Sequence, residues 1–153
     1  MQVSTFLLLS LFLLTISLKA NSCNIYVAKD GDNSNPGTST SPLLTIQAAA
    51  SIATIPGDIV CVRPGLYYEG TQTPNFKTEK GVKILYSGTA ENRIVFQADP
   101  NVFGRVIIDQ DFDLTKDPEA TTDPIATFGF IIEHQDYITI RGFEIRNTST
   151  GIY

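Results

Sequence analysis

Asp109, Asp111 and Asp113 alternate along the chain. In an extended segment alternate residues share a face, so these three carboxylates form a candidate metal site of hard oxygen ligands for Ca²⁺. Asp117, Pro118, Asp123 and Pro124 follow closely, and a run of that kind is more often a solvated loop exit. Asp30, Asp32 and Ser34 resemble the opening of a calcium loop. However, Asn35 stands where such a loop needs glycine, and no glutamate follows at the place of the bidentate ligand. A third group combines Glu133, His134, Asp136, Arg141 and Arg146, with His134 the single histidine. Arg141 alternates with Ile138 and Ile140 and so points away from them. Either arginine could line a sugar-binding face, although a solvated surface is the commoner role. Tyr67, Tyr68 and Tyr86 offer rings for stacking on sugars, but tyrosine is also an ordinary strand former. Asn147-Thr148-Ser149 matches an N-glycosylation acceptor, relevant in a eukaryotic source.

The elements that position such groups belong to a chain of 153 residues, a one-domain length, with 42% hydrophobic and 18% charged residues. That is too apolar for a disordered chain. Eleven Lys and Arg face 16 Asp and Glu, for a net charge of −5. No basic stripe exists to displace phosphate counterions, which argues against a nucleic-acid partner. Two cysteines and one histidine are too few for a Cys/His zinc module.

Residues 6–18 are apolar except for Ser10, Thr15 and Ser17. This is short for a bilayer span and fits a signal-peptide core, and Ala20-Asn21-Ser22 supplies small residues for cleavage before Cys23. Residues 1–22 are therefore read as a signal peptide and 23–153 as the exported domain, with no membrane span in the mature chain. A lipoprotein anchored through Cys23 is the alternative. In an oxidising compartment Cys23 and Cys61 can form a disulfide, and two free thiols are the other reading. The valines flanking Cys61 occupy the opposite face, leaving Cys61 outward.

After Val27 the run from Asp30 to Gly37 is dense in turn formers. A helix follows, capped by Thr45, with Ile46, Ala49, Ala50 and Ala53 forming one apolar stripe, and Pro56-Gly57 ends it after about two and a half turns. Everything later is short and extended: Ile59–Val62, 82–86, Ile94–Ala98, Val106–Asp109, 128–132, 137–141 and Phe143–Arg146. Two-residue hairpin signals are few. Extended segments start 23 residues apart from Ile59 to Val82, 24 from Val82 to Val106 and 22 from Val106 to Phe128. Ile94 and Ile138 lie 44 apart, read as two such steps. A period of that size with short strands predicts a solenoid whose coils stack. Gly142 is the expected corner between Ile138-Thr139-Ile140 and Phe143-Glu144-Ile145.

Four motifs in order carry a resemblance: IYVAKDGDNSNPGTSTSPLLTIQAA (25–49), PGDIVCVRPGLYYEG (56–70), GTAENRIVFQA (88–98) and DYITIRGFEIRN (136–147). Together they resemble the N-terminal part of secreted right-handed parallel β-helix proteins, the pectate-lyase-like and chondroitinase-B-like polysaccharide lyases. The resemblance implies an all-β fold, a right-handed parallel β-helix entered through a short capping helix that plugs its open end. It also implies a carbohydrate-active protein acting on acidic, uronate-containing polysaccharide by β-elimination. The alternative is a non-catalytic adhesion or carbohydrate-binding rod. Such a lyase needs a base, in this family Lys or Arg, and often Ca²⁺ held by aspartates. On an acidic chain a cation would also bridge protein and polyuronate. No residue matches a catalytic position of the family well enough to be carried over. The last residues, 147–153, read as a turn and the start of a further coil. The chain is therefore expected to begin a longer, monomeric protein whose catalytic residues lie beyond Tyr153, with a complete miniature solenoid as the alternative.

Overall fold

A computed structural model describes residues 22–69, 80–110 and 127–153. Along them run β1 (Ile25–Val27), α1 (Ile46–Ile52), β2 (Ile59–Val62), β3 (Gly65–Tyr67), β4 (Lys80–Lys83) and β5 (Ile94–Ala98). They continue with β6 (Val106–Asp109), β7 (Thr127–Ile131), β8 (Ile138–Arg141), β9 (Phe143–Arg146) and β10 (Thr150–Ile152). Three sheets result, β1-β2-β5-β8, β3-β6-β9 and β4-β7-β10, and every strand pairing within them is parallel. The chain visits each sheet once and returns one strand further along. Successive coils are thus β2-β3-β4, β5-β6-β7 and β8-β9-β10, stacked as a three-faced parallel β-helix.

The core fills the inside of this coil. Ile25, Val60, Phe96 and Ile140 are register partners across four strands, and the first three are buried in one apolar cluster with Val27, Val62, Ile94, Val106, Ile108 and Phe130. In parallel strands a residue stacks on its partner in the next coil, so each inward position makes a continuous apolar row. In the last coil Ile138, Ile140, Phe143 and Ile145 are only half-buried. The corner expected at Gly142 lies between β8 and β9. Its φ of 80° falls in the left-handed region, and a Cβ there would approach the Ala98 Cβ to 2.9 Å.

The spacing that suggested the coils has a different origin. Ile94 and Ile138 are direct register partners one coil apart, not two. Ile59 and Val82 lie on different sheets, as do Val82 and Val106, so steps of 22 to 24 residues mostly measured side to side rather than coil to coil. Coil length varies because loops of unequal length leave the corners: Ile59 pairs with Val95, whereas Phe128 pairs with Thr150 only 22 residues on. Two strands escaped the sequence reading. β3, just after Pro64, was not anticipated, and β10 sits in what read as a turn and the start of a further coil. β4 starts at Lys80 and ends at Lys83, and Leu85 and Tyr86, expected in it, are exposed.

The helix forms where expected but spans Ile46–Ile52, about two turns, and Ala53 already leaves helical geometry. The Thr45 side chain accepts from the Ala48 N–H at 3.2 Å. Ile46, Ala49, Ala50 and Ala53 join the core cluster and close the coil's first end against β1, β2 and β4. The remaining orphan donors find a partner that sequence patterning missed. Glu69, 2% exposed, accepts from Ile46 N–H at 2.7 Å and from Gln47 N–H at 3.0 Å. Burial pushes its carboxyl above the ordinary 4.5, outweighing the two backbone hydrogen bonds and the charge of Lys29. Glu69→Ala strips two donors at once and is expected to cost about 3 kcal/mol, read from denaturant unfolding. The pH sign follows from the raised carboxyl. Its contribution is complete below the unfolded value and fades as pH climbs through the folded one. Wild type should therefore gain in melting temperature over Glu69→Gln as pH is lowered from neutrality toward 4.5. A constant difference would contradict the buried carboxyl.

Candidate functional site

Side chains that alternate with the core rows of the first sheet point out of the coil. Ile59, Val95 and Thr139 are successive register partners on β2, β5 and β8. They floor a groove of about 590 Å³. In the exported chain Asn24, Pro56 and Gly57 border it, together with the turn 90–93 and Arg141. The wall beside Asn24 is held firmly. Asn24 donates from Nδ2 to the Asp58 Oδ1 at 2.7 Å and accepts the Ile59 N–H at 2.6 Å, while Asp58 Oδ2 accepts the Ile55 N–H at 2.8 Å.

Two arginines and one acid, Glu91, bring charge to this groove. Arg93 donates to the Ile138 carbonyl at 3.1 Å, and its guanidinium lies 5.8 Å from the Tyr137 ring centroid. Arg141 donates through Nε to the Gln97 Oε1 at 2.8 Å and through Nη2 to the same atom. Gln97 in turn donates to Cys61 Sγ at 3.2 Å. Cys61 is bonded to Cys23, with their Cα atoms 5.6 Å apart. Cys61 does face away from the core, yet it is fully buried, covered by its own partner and by Gln97.

The other sequence candidates scatter. Asp109 lies on β6, where Arg146 Nε donates to its Oδ2 at 2.8 Å and Asn147 Nδ2 to its Oδ1 at 2.9 Å. Asp111 and Asp113 lie outside the described residues. Among the described residues no three metal-ligating side chains converge. Asp109 itself, with both oxygens engaged, is a poor fit for Ca²⁺. Asp32 accepts both the N–H and the hydroxyl of Ser34 at 2.7 Å, which draws its carboxyl below the ordinary value. It closes a structural turn.

Arg141 and Arg146 stand on different sheets, so the third group does not assemble. Arg146 also meets Glu144 at 3.9 Å, and Glu144 pairs with Arg105. Glu133 bonds Lys83 at 2.9 Å, an exposed pair that lowers its carboxyl. His134 turns the chain with a φ of 59°. Tyr67 is buried and donates to the Arg63 carbonyl at 2.9 Å, and burial raises its phenol. Tyr68 and Tyr86 are exposed but do not line the groove. In the glycosylation motif Asn147 bonds Asp109, and the Ser149 hydroxyl donates to the Thr127 carbonyl at 2.8 Å. Arg93, Gln97 and Asn24 were overlooked as site residues. Gln97 is a polar residue at an outward register position, visible only once the pairing of strands is known, and Arg93 and Asn24 lie just before β5 and β1.

Residues 25–153 match the model of a family described as the Pel9A-like, right-handed β-helix region. The chain belongs to that family. Among solved structures it is similar to a rhamnogalacturonan lyase, with 24% identity, a TM-score of 0.60, and 81% of this chain covered. It is also similar to the pectate lyase Pel9A, with 25% identity, a TM-score of 0.56 and 80% covered. A lacto-N-biosidase of family GH136 from Eubacterium ramulus shares 21% identity over 84% of the chain, with a TM-score of 0.57. Matches below a quarter identity speak to the fold alone. This Pel9A-like chain spans 28% of each lyase and 21% of the biosidase. No curated protein matches it. The neighbours are carbohydrate-active β-helix enzymes, lyases and a glycoside hydrolase alike.

Proposed function

We propose that the chain is the N-terminal part of an exported, carbohydrate-active protein that binds acidic polysaccharide, and that the whole protein cleaves it by β-elimination. The groove on the first sheet carries this reading. It combines an apolar floor of Ile59 and Val95, suited to the C–H face of a sugar ring, with two arginines against one glutamate, on a chain whose net charge is −5. A cationic groove on an acidic molecule concentrates a polyanion at that place. Export is supported by the apolar run 6–18 and by a disulfide that persists only where conditions are oxidising. Among the described residues no helix is long and apolar enough to cross a membrane.

In β-elimination a base takes the proton alpha to the uronate carboxylate, the C4–O bond breaks, a C4=C5 double bond forms, and the departing oxygen receives a proton. Arg141 and Arg93 are engaged by Gln97, Ile138 and Tyr137 and remain charged. Their role in the proposal is binding, and the base is assigned to other parts of the whole protein. No step is routed through calcium, which Asp109 does not suit. Those same engaged arginines favour a second reading, a rod that binds carbohydrate without cleaving it. Incubating full-length protein with polygalacturonate, rhamnogalacturonan, alginate or dermatan, with calcium or with EDTA, should release unsaturated uronate seen by its ultraviolet absorbance. Retention on the polymer without any absorbance gain would leave the rod, and absence of both would remove the acidic-polysaccharide reading.

A further inference from the structure

Tyr26, Cys61, Gln97 and Arg141 are direct register partners on β1, β2, β5 and β8. Outward side chains of four neighbouring strands therefore stack in one file, about 4.8 Å apart. The middle of that file is locked. Gln97 is 4% exposed, and its side-chain nitrogen is held by Cys61 Sγ at 3.2 Å, with Cys23 Sγ at 3.9 Å. With that end held, its carbonyl stays aimed at Arg141 and takes up the edge formed by Nε and Nη2. One edge of the guanidinium is thus occupied inside the protein and its plane is fixed. The other edge, formed by Nη1 and the second Nη2 hydrogen, has no partner among the described residues, and Arg141 lines the groove beside Thr139.

A fixed guanidinium edge with two parallel N–H donors matches a planar carboxylate and gives paired, charge-assisted hydrogen bonds. Arg93, tied to the Ile138 carbonyl, adds positive field without offering the same geometry. Glu91 is the acid of the groove, and it stands in the turn with Arg93 rather than in the file of Arg141. The geometry points to a carboxylate subsite for a single acidic sugar residue, with Arg141 as its anchor and Gln97 as the positioning residue that aims it. This deepens the reading of the chain as a binder of acidic polysaccharide and rests on it.

The test is calorimetric titration of the full oxidised chain with trigalacturonate and with its methyl ester, which removes the charge and keeps the sugar. Wild type should bind the acid about tenfold more tightly than the ester, and the Arg141 Nε–H resonance should move on addition of the acid. Arg141→Ala should erase the preference. Arg141→Lys, which keeps charge but not the fork, should retain only a part of it, as should Gln97→Met at a temperature below its melting transition. Arg146→Ala, on a different sheet, should leave the ratio unchanged. If wild type prefers the acid and Arg141→Ala preserves that ratio, the subsite is overturned while the acidic-polysaccharide reading stands. Equal binding of acid and ester also overturns the subsite. If neither trisaccharide binds, both fall.

Discussion

Opening the Cys23–Cys61 bridge is expected to lower the unfolding free energy by about 4 kcal/mol. The two cysteines are 38 residues apart, and closing a loop of that length restricts the unfolded chain by an entropy worth about 4 kcal/mol at room temperature. For a domain of this size that loss corresponds to roughly 15 °C in melting temperature. The bridge does more than shorten the unfolded ensemble. It fastens the segment before β1 to the middle of β2, beside the Asn24 and Asp58 hydrogen bonds that hold the groove wall. Denaturant unfolding of oxidised protein against a Cys23→Ala/Cys61→Ala variant measures the effect. Superimposable curves would mean that the N-terminal segment is fastened by its hydrogen bonds alone.

A loss of similar size is expected from Phe130→Ala, again about 4 kcal/mol. Phe130 is fully buried on β7. Its ring meets Phe96 of β5 edge-on at 6.1 Å between centroids, and Phe143 of β9 at 5.2 Å. These three rings come from three different sheets, so the truncation opens a void where the faces of the coil meet rather than within a single layer. Edge-to-face pairs add roughly 1 kcal/mol beyond the area they bury. Phe128→Ala provides the comparison: its ring pairs with the exposed Tyr153 at 5.4 Å, and the smaller burial should give a clearly smaller loss. Equal losses at the two positions would contradict an interior packed around Phe130.

Much of this architecture was legible in the residues. The stripe of Ile46, Ala49, Ala50 and Ala53 marked the plug, and alternating Ile and Val marked the strands, because inward rows must be apolar in every coil. The length of a coil was not legible. A β-helix fixes which residues stack but leaves corner loops free to vary, so a numerical period averaged over steps of different kinds. Gly65–Tyr67 was hidden because Pro64 and Gly65 punctuate a corner and also begin a strand. Glu69 escaped because a glutamate beside tyrosines reads as surface, and only the fold brings it under the N-terminus of α1. The site was the least legible part. Arg141 was singled out for its outward alternation, but its grouping with Arg146 relied on nearness in sequence, and a one-residue corner at Gly142 sends the two to different faces. Gln97 and Arg93 gain meaning only from their partners 44 and 45 residues away.

The most direct measurement is a backbone-amide NMR titration of the full chain with trigalacturonate at low ionic strength. The amides of Ile59, Val95, Thr139 and Arg141 should shift together, while those of Ile107 and Glu144 on the β3-β6-β9 face stay in place. Shifts confined to that second face, or no shifts anywhere, would contradict a sugar-binding groove on the first sheet.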